Sequence, residues 1–302
     1  MSRSNRFVII IILLFFIVVP SLRGKEMPGR APIWELKGPH ATIYLAGSVH
    51  LLREKDLPIP TGFDEVYELA DEVIFELDIA DMMNPATMQR IREAGLLPEG
   101  ETIADHFDEK TVSAIHSYLK GLGVPANALD RMKPGTLYLS LTSMTATKQG
   151  AKAELGLEIQ FHRKARDEEK PTRGLETIDY QMSLFHQIQT ETIQRLINEM
   201  IDEKEDSPEA LDRVIAAWKS GDPKQIEEII VAELAEEEEI KNLLLVQRNK
   251  NWIPPIEKAL GGQKNVMFLV GAAHLAGDDS VIELLQRKGY NPLQRSKSVI
   301  AP

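Results

Sequence analysis

"YLAGSVHLL", Tyr44 to Leu52, is an apolar run that ends in Gly-Ser-Val-His, and "FLVGAAHL", residues 268–275, repeats the pattern. Each copy has an aromatic residue, an apolar stretch, a glycine, two intervening residues and then His-Leu. His50 and His274 thus close two near-copies 224 residues apart. Short apolar runs of this kind read as buried strands. Isolated terminal strands are unstable alone, so the two are expected to be neighbours in one sheet. Gly47 and Gly271 would permit a sharp turn or a close backbone approach. The two histidines would then stand beyond the strands' carboxyl ends, where open α/β sheets bind ligands.

Working outward, "IWELKGPHATIYLAG" reads as a hairpin around Gly38-Pro39. "TGFDEVYELADE" carries Phe63, Val66, Tyr67 and Ala70 at helical spacing, and "EVIFELD" follows as a short strand with Glu76 and Asp78 near its end. Strand, helix, strand in this order predicts an α/β architecture. From about Asn84 to Gln263 the chain is expected to be mostly helical, broken by a short strand in "KPTRGLET" that ends at Glu176. "NVMFLVG" is a strand again. "DDSVIELLQRKG" is a helix capped by Asp278 or Asp279, and "KSVI" a possible last strand. The predicted fold is α/β, with a central mixed β-sheet built from the N- and C-terminal parts and a large helical middle. No Gly/Ser-rich linker divides it, so residues 34–302 are read as one domain with a helical insertion at about 84–263.

The N-terminus carries an address. "MSRSNRF" is a basic leader, and the twelve-residue apolar run "VIIIILLFFIVV" closes at Pro20. Residues 1–24 are expected to be a signal peptide or an N-terminal membrane anchor, through residues 7–20, followed by a linker at 25–33. The expected location is exported: periplasmic or secreted, or held at the membrane. A composition of 43% apolar and 27% charged residues argues against wholesale disorder. The net charge of −11 argues against nucleic acid, which needs a basic face. There is no cysteine, so any metal must be held by His, Asp and Glu.

The candidate chemistry follows from strand ends. Glu76 comes after four apolar residues and is costly to bury unless paired or metal-bound. Asp78 is the same-face alternative, and Glu176 ends the mid-chain strand. Glu158 and His162, at i and i+4, share one helix face, as a ligand pair or an ordinary surface pair would. In "QRNKNW", Arg248 is placed to stabilise negative charge or to join a salt bridge. The acidic run Glu236–Glu239 cannot share one helix face and reads as solvated surface. His40, His106, His116 and His186 show no partner pattern. No G-x-S-x-G, phosphate-cradling loop or H-E-x-x-H is present.

Taken together, "YLAGSVHLL", "ADEVIFELD", "GLE", "RGLET…Q", "RN..W" and "FLVGAAHLAGDDSVIELLQRKGY" resemble the TraB/GumN family, which includes the Tiki proteins, over roughly Ile33 to Tyr290. The resemblance implies a relation to the erythromycin-esterase and ChaN-like α/β fold. It also implies metal-dependent proteolysis, the activity described for Tiki members. Gly47–His50 and Gly271–His274 match the paired GxxH motifs, Glu76 the acidic residue after the second core strand, Glu176 the "GLET" and Arg248-Asn249 the "RN". Where family members often carry Gly-Leu/Ile-Asp, this chain has Gly156-Leu157-Glu158.

Three activities are consistent with these residues. The first is a metal-dependent hydrolase, a peptidase with a peptide or small-molecule substrate. His50 and His274 would bind a divalent ion (Mn, Co or Zn) with Glu76 or Glu176, the remaining Glu would be general base, and Arg248 would stabilise the oxyanion. The second is a non-catalytic protein that sequesters a peptide or small ligand. The third is a metal-free, esterase-like enzyme with a histidine as general base.

Overall fold

The computed structural model describes residues 31–202, 208–235 and 237–295. The predicted leader and linker, apart from Ala31, Pro32 and Ile33, and the "KSVI" strand lie outside these residues. Six strands form one sheet: β1 Ile33–Lys37, β2 Thr42–Ser48, β3 Glu72–Leu77, β4 Thr172–Glu176, β5 Val266–Gly271 and β6 Leu293–Gln294, in the order β4-β3-β5-β2-β1-β6. β4, β3, β5 and β2 run parallel, while at one edge β1 pairs antiparallel with β2 and β6 pairs antiparallel with β1. The sheet is therefore mixed, and the two histidine-bearing strands do lie side by side. Their register is Leu45↔Phe268, Ala46↔Leu269, Gly47↔Val270 and Ser48↔Gly271.

The helices follow the sequence punctuation. α1 (Gly62–Leu69) joins β2 to β3, and α2 (Pro85–Ala94) begins at a proline with Asn84 as its cap. Then come α3 (Glu109–Gly121), α4 (Pro134–Lys148), α5 (Leu157–Asp167), α6 (Ile178–Gln187), α7 (Thr190–Asp202) and α8 (Pro208–Ser220). Two five-residue π-helical segments, Glu227–Val231 and Asn242–Val246, precede α9 (Gln247–Leu260), and α10 (Val281–Arg287) follows β5. Ser280, not Asp278 or Asp279, caps α10, its side chain accepting from Glu283 N at 3.2 Å. Asp279 is spent elsewhere, on Lys241 at 3.0 Å.

Strand residues alternate between two apolar layers, as the two-residue period requires. Tyr44, Ala46, Val73, Phe75, Met267 and Leu269 face the helical middle. Ile43, Leu45, Ile74, Phe268 and Val270 pack with Trp252, Ile253 and Ile256 of α9 and Leu285 of α10. Both faces of the sheet are thus covered, which explains strands that read as continuous apolar runs. Gly47 lies inside β2 rather than in a turn. A Cβ there would meet Ala272 Cα at 3.1 Å and Pro32 O at 3.2 Å, so its use is close packing. Its carbonyl accepts from Trp218 Nε1 of α8 at 2.8 Å.

Candidate active site at the carboxyl ends of the parallel strands

Each of the four parallel strands delivers a polar side chain at or just beyond its carboxyl end: β2 gives Ser48 and His50, β3 Glu76, β4 Glu176, and β5 leads to His274. Asp78 turns aside. Its carboxylate caps the short turn Ile79–Met82, accepting from Ala80 N at 3.0 Å and Asp81 N at 3.3 Å.

α9 closes over these ends. Leu244, just before it, and Arg248 and Trp252 within it are spaced four apart and share one face. All five guanidinium N–H donors of Arg248 are used. Nε reaches Glu176 Oε2 at 3.0 Å, Nη2 reaches Glu76 Oε2 at 2.5 Å and Glu176 Oε2 at 2.9 Å, and Nη1 donates to Leu244 O at 3.1 Å and His274 Nε2 at 3.2 Å. Glu176 also accepts from Trp252 Nε1 at 2.8 Å and Gln181 Nε2 at 2.9 Å. Glu76 Oε1 accepts from Gly271 N at 2.7 Å. Burial alone would raise the Glu76 pKa, but the Arg248 charge beside it holds the carboxyl far below the usual range. Burial likewise opposes the Arg248 charge, and Glu76 and Glu176 outweigh it, so its pKa is raised.

His274 is 1% exposed and fixed at both nitrogens. Nδ1 donates to Asn249 Oδ1 at 2.5 Å, whose Nδ2 donates to Asp279 O at 2.8 Å, while Nε2 accepts from Arg248. Burial and the neighbouring Arg248 charge push its pKa down to about 3, so the ring is neutral. Trp252 packs on it with ring centroids 4.3 Å apart.

His50 has different company. Its Nδ1 lies 2.8 Å from Glu158 Oε1, an oxygen that also accepts from Ser48 Oγ. Gly156 makes this possible. A Cβ there would sit 2.0 Å from His50 O, so only glycine lets the start of α5 lie against this backbone. Burial lowers the His50 pKa, but the Glu158 carboxylate outweighs it and the net shift is upward. His50 Nε2 and Glu158 Oε2 are buried without hydrogen-bond partners among the described residues. Around Gly271 the pieces meet: a Cβ there would be 3.2 Å from Glu76 Oε1, 3.6 Å from His274 Cδ2 and 3.9 Å from His50 Nε2.

The structure therefore gathers His50, Glu76, Glu158, Glu176, Arg248, Asn249, Gly271 and His274, and puts Gly47 in the adjoining strand. His162 does not pair with Glu158; it packs edge-on against Phe75 with ring centroids 6.3 Å apart. Three of the four histidines without a sequence pattern have side-chain partners: His106 with Glu101, His116 with Asp130 and His186 with Thr136. The acidic run is not wholly solvated, since Glu237 pairs with Arg195 at 2.6 Å and Glu239 accepts from Gln189 N at 3.1 Å. Sequence reasoning missed Ser48, although it shares the strand end with His50. It gave no role to Gln181 and Trp252, although Trp252 stands four residues after Arg248.

The four residues expected to hold a metal do not form a ligand set in this arrangement. Among the described residues, no three His, Asp or Glu side chains are grouped to hold an ion. Arg248 is the physical reason. It occupies the space between Glu76 and Glu176 and takes the His274 lone pair, which leaves His50 Nε2 as the uncommitted donor of the four.

The sequence profile of the TraB/PrgY/gumN family matches residues 32–294. The chain belongs to that family. The uncharacterized protein YbaP of Escherichia coli (strain K12) is 21% identical, over 88% of this chain and 96% of its own length. Among eukaryotic relatives, "Metalloprotease TIKI1" of Danio rerio is 22% identical over 85% of this chain, and that of Homo sapiens 22% identical over 92%. This TraB-family chain spans 62% and 66% of those two proteins' lengths. No solved structure matches it.

Proposed function

We propose that this protein hydrolyses peptide bonds outside the cytoplasm, with His50 as the group that moves the proton. The observation that carries the reading is a single atom: His50 Nε2 is buried and unpartnered among the described residues while Nδ1 is tied to Glu158. An Nδ1–H donating to Glu158 leaves a lone pair on Nε2. That lone pair can accept a proton from a water whose oxygen attacks the carbonyl carbon. As the C–N bond breaks, the imidazolium returns the proton to the departing nitrogen, and Glu158 stabilises the charged ring in between. All five N–H donors of Arg248 are engaged, so its part is to hold Glu76, Glu176 and His274 in place rather than to bind an oxyanion.

The metalloprotease names of the Tiki relatives support a peptide bond as the bond cut, and they bring a divalent ion (Mn, Co or Zn) into the reading. Among the described residues no ligand set for such an ion is grouped, so no step of the reaction is routed through it. The apolar leader supports export, although no helix of the described residues is long and apolar enough to cross a membrane. The test uses the purified protein with casein and a panel of fluorogenic peptides, once in chelator and once with each added metal, alongside elemental analysis. Cleavage in any of these conditions that is lost in the His50→Gln variant is the expected result. No cleavage in all of them overturns the proposal.

One observation favours a second reading, a binding protein that sequesters a peptide or small ligand. Arg248 and the glutamates around it are almost fully buried and mutually satisfied, as in a rigid frame. Tight binding of a peptide recovered intact after long incubation would select it.

A further inference from the structure

Behind His274, on the side of Nδ1, lies a cavity of about 230 Å³ that neither the predicted chemistry nor the family match assigns. Its walls are apolar where Val231, Leu245 and Ala276 face it. Its polar lining is unbalanced: Glu227, Asp278 and Asp279 against Lys241. Lys241 is already paired with Asp279 at 3.0 Å. Glu227 and Asp278 have no ion-pair partner among the described residues, and each is at least partly exposed to solvent. Gly277, at φ +86°, turns the chain so that a Cβ there would lie 3.3 Å from Glu227 Oε1, which leaves that carboxylate seated over the turn.

The backbone around the cavity is unusual. Glu227 and Val231 are the first and last residues of one π-helical segment, and Leu245 belongs to the other. Such segments are rare and are frequently found at functional sites. The second one also sorts the approach to α9 into two faces. Leu244 and Arg248 serve the strand-end cluster, while Lys241, Leu245 and Asn249 serve the cavity. Asn249 belongs to both, because it lines the cavity and holds His274 Nδ1.

We propose that this cavity is a binding site for a small organic cation: an ammonium or guanidinium group on a short apolar stem. The stem would lie along Val231, Leu245 and Ala276, and the charge would meet Glu227 and Asp278. The chemistry is that of a free alkylamine and equally of a lysine side chain on a peptide. Binding is read without turnover, so the inference stands or falls apart from the hydrolase reading.

The probes are pentylamine, its neutral counterpart pentanol, and a pair of short peptides carrying lysine or norleucine. The readout is the NMR side-chain amide signal of Asn249 in the full chain. Pentylamine is expected to shift it saturably, at least about tenfold more tightly than pentanol, as one charge-assisted hydrogen bond would give. The double variant Glu227→Gln, Asp278→Asn should erase that preference and leave pentanol binding unchanged. Ala232→Leu, a plug at the exposed rim, should block both probes. Tighter binding of the lysine peptide than of pentylamine assigns the site to a peptide side chain, and the reverse assigns it to free amines; either supports the cation class. Equal binding of pentylamine and pentanol, a preference that survives the double variant, or no saturable binding by any probe would overturn the inference.

Discussion

His50 and His274 close nearly identical stretches of sequence, yet the protein treats them as opposites. His274 has a side chain 1% exposed, both ring nitrogens bonded and a cationic neighbour that keeps the ring neutral. His50 has a side chain 13% exposed, a carboxylate neighbour that favours the charged ring, and one nitrogen without a partner among the described residues. A motif fixes where an imidazole stands. The elements packed against it decide whether that imidazole can exchange a proton. Here α9 immobilises one copy, and the start of α5 sets a carboxylate against the other.

The sharpest way to break this contrast is His50→Gln. On the proposed reading it should cut hydrolysis by about 10²–10⁴-fold, the usual range for a positioned acid–base group, in a protein that still unfolds in one cooperative step. A variant retaining full peptidase activity would remove His50 from the chemistry. Next in size is Arg248→Met, which strands two buried carboxylates and should cost about 3–5 kcal/mol in urea unfolding. Adding Glu176→Gln to that variant should recover part of the loss; if it recovers none, the cluster is not held by charge.

The two histidines should also pull stability in opposite directions with pH. The His274 pKa falls from 6.5 unfolded to about 3 folded, so the unfolded state binds the extra proton between those values, and stability drains away as pH falls through them. Glu76, also depressed, adds to the loss further down. The His50 pKa is raised, so its contribution is complete below 6.5 and disappears as pH rises through the folded value. Urea midpoints measured across pH should therefore show a flattened acid limb in His274→Gln and a flattened alkaline limb in His50→Gln. The same limb flattening in both would contradict the assignment of partners. The smallest effect belongs to Ser48→Ala, which removes one hydrogen bond to Glu158 and should cost about 1 kcal/mol. Ser48→Thr should restore it.

Much of the frame was legible because it is local. Apolar runs, Gly and Pro punctuation and helical spacing mark the strands and most helices, and the strand-end residues Glu76, Glu176, His50 and His274 follow from them. What was hidden depends on contacts between distant elements. The spacing of Glu158 and His162 says that they share a helix face but not what covers that face, and Glu158 instead meets a histidine 108 positions away. Nothing near Arg248 in sequence reveals that Glu76, Glu176, His274 and the Leu244 carbonyl together use every donor it has. Asp278 and Asp279 looked like helix caps because acids are good caps, but Lys241 competes for one of them and Ser280 is one residue nearer the helix.

The strand register carries a last consequence. Aligned by motif, Tyr44 corresponds to Phe268 and Gly47 to Gly271, yet the sheet pairs Leu45 with Phe268 and Ser48 with Gly271. A shift of one residue turns every side chain to the other face. Tyr44 accordingly packs toward the helical middle, while Phe268 packs toward α9 and α10. The repeat in the sequence is therefore not a two-fold axis in the molecule. The two copies turn corresponding residues to opposite faces of the sheet, and that offset lets one repeated motif furnish two unlike histidines.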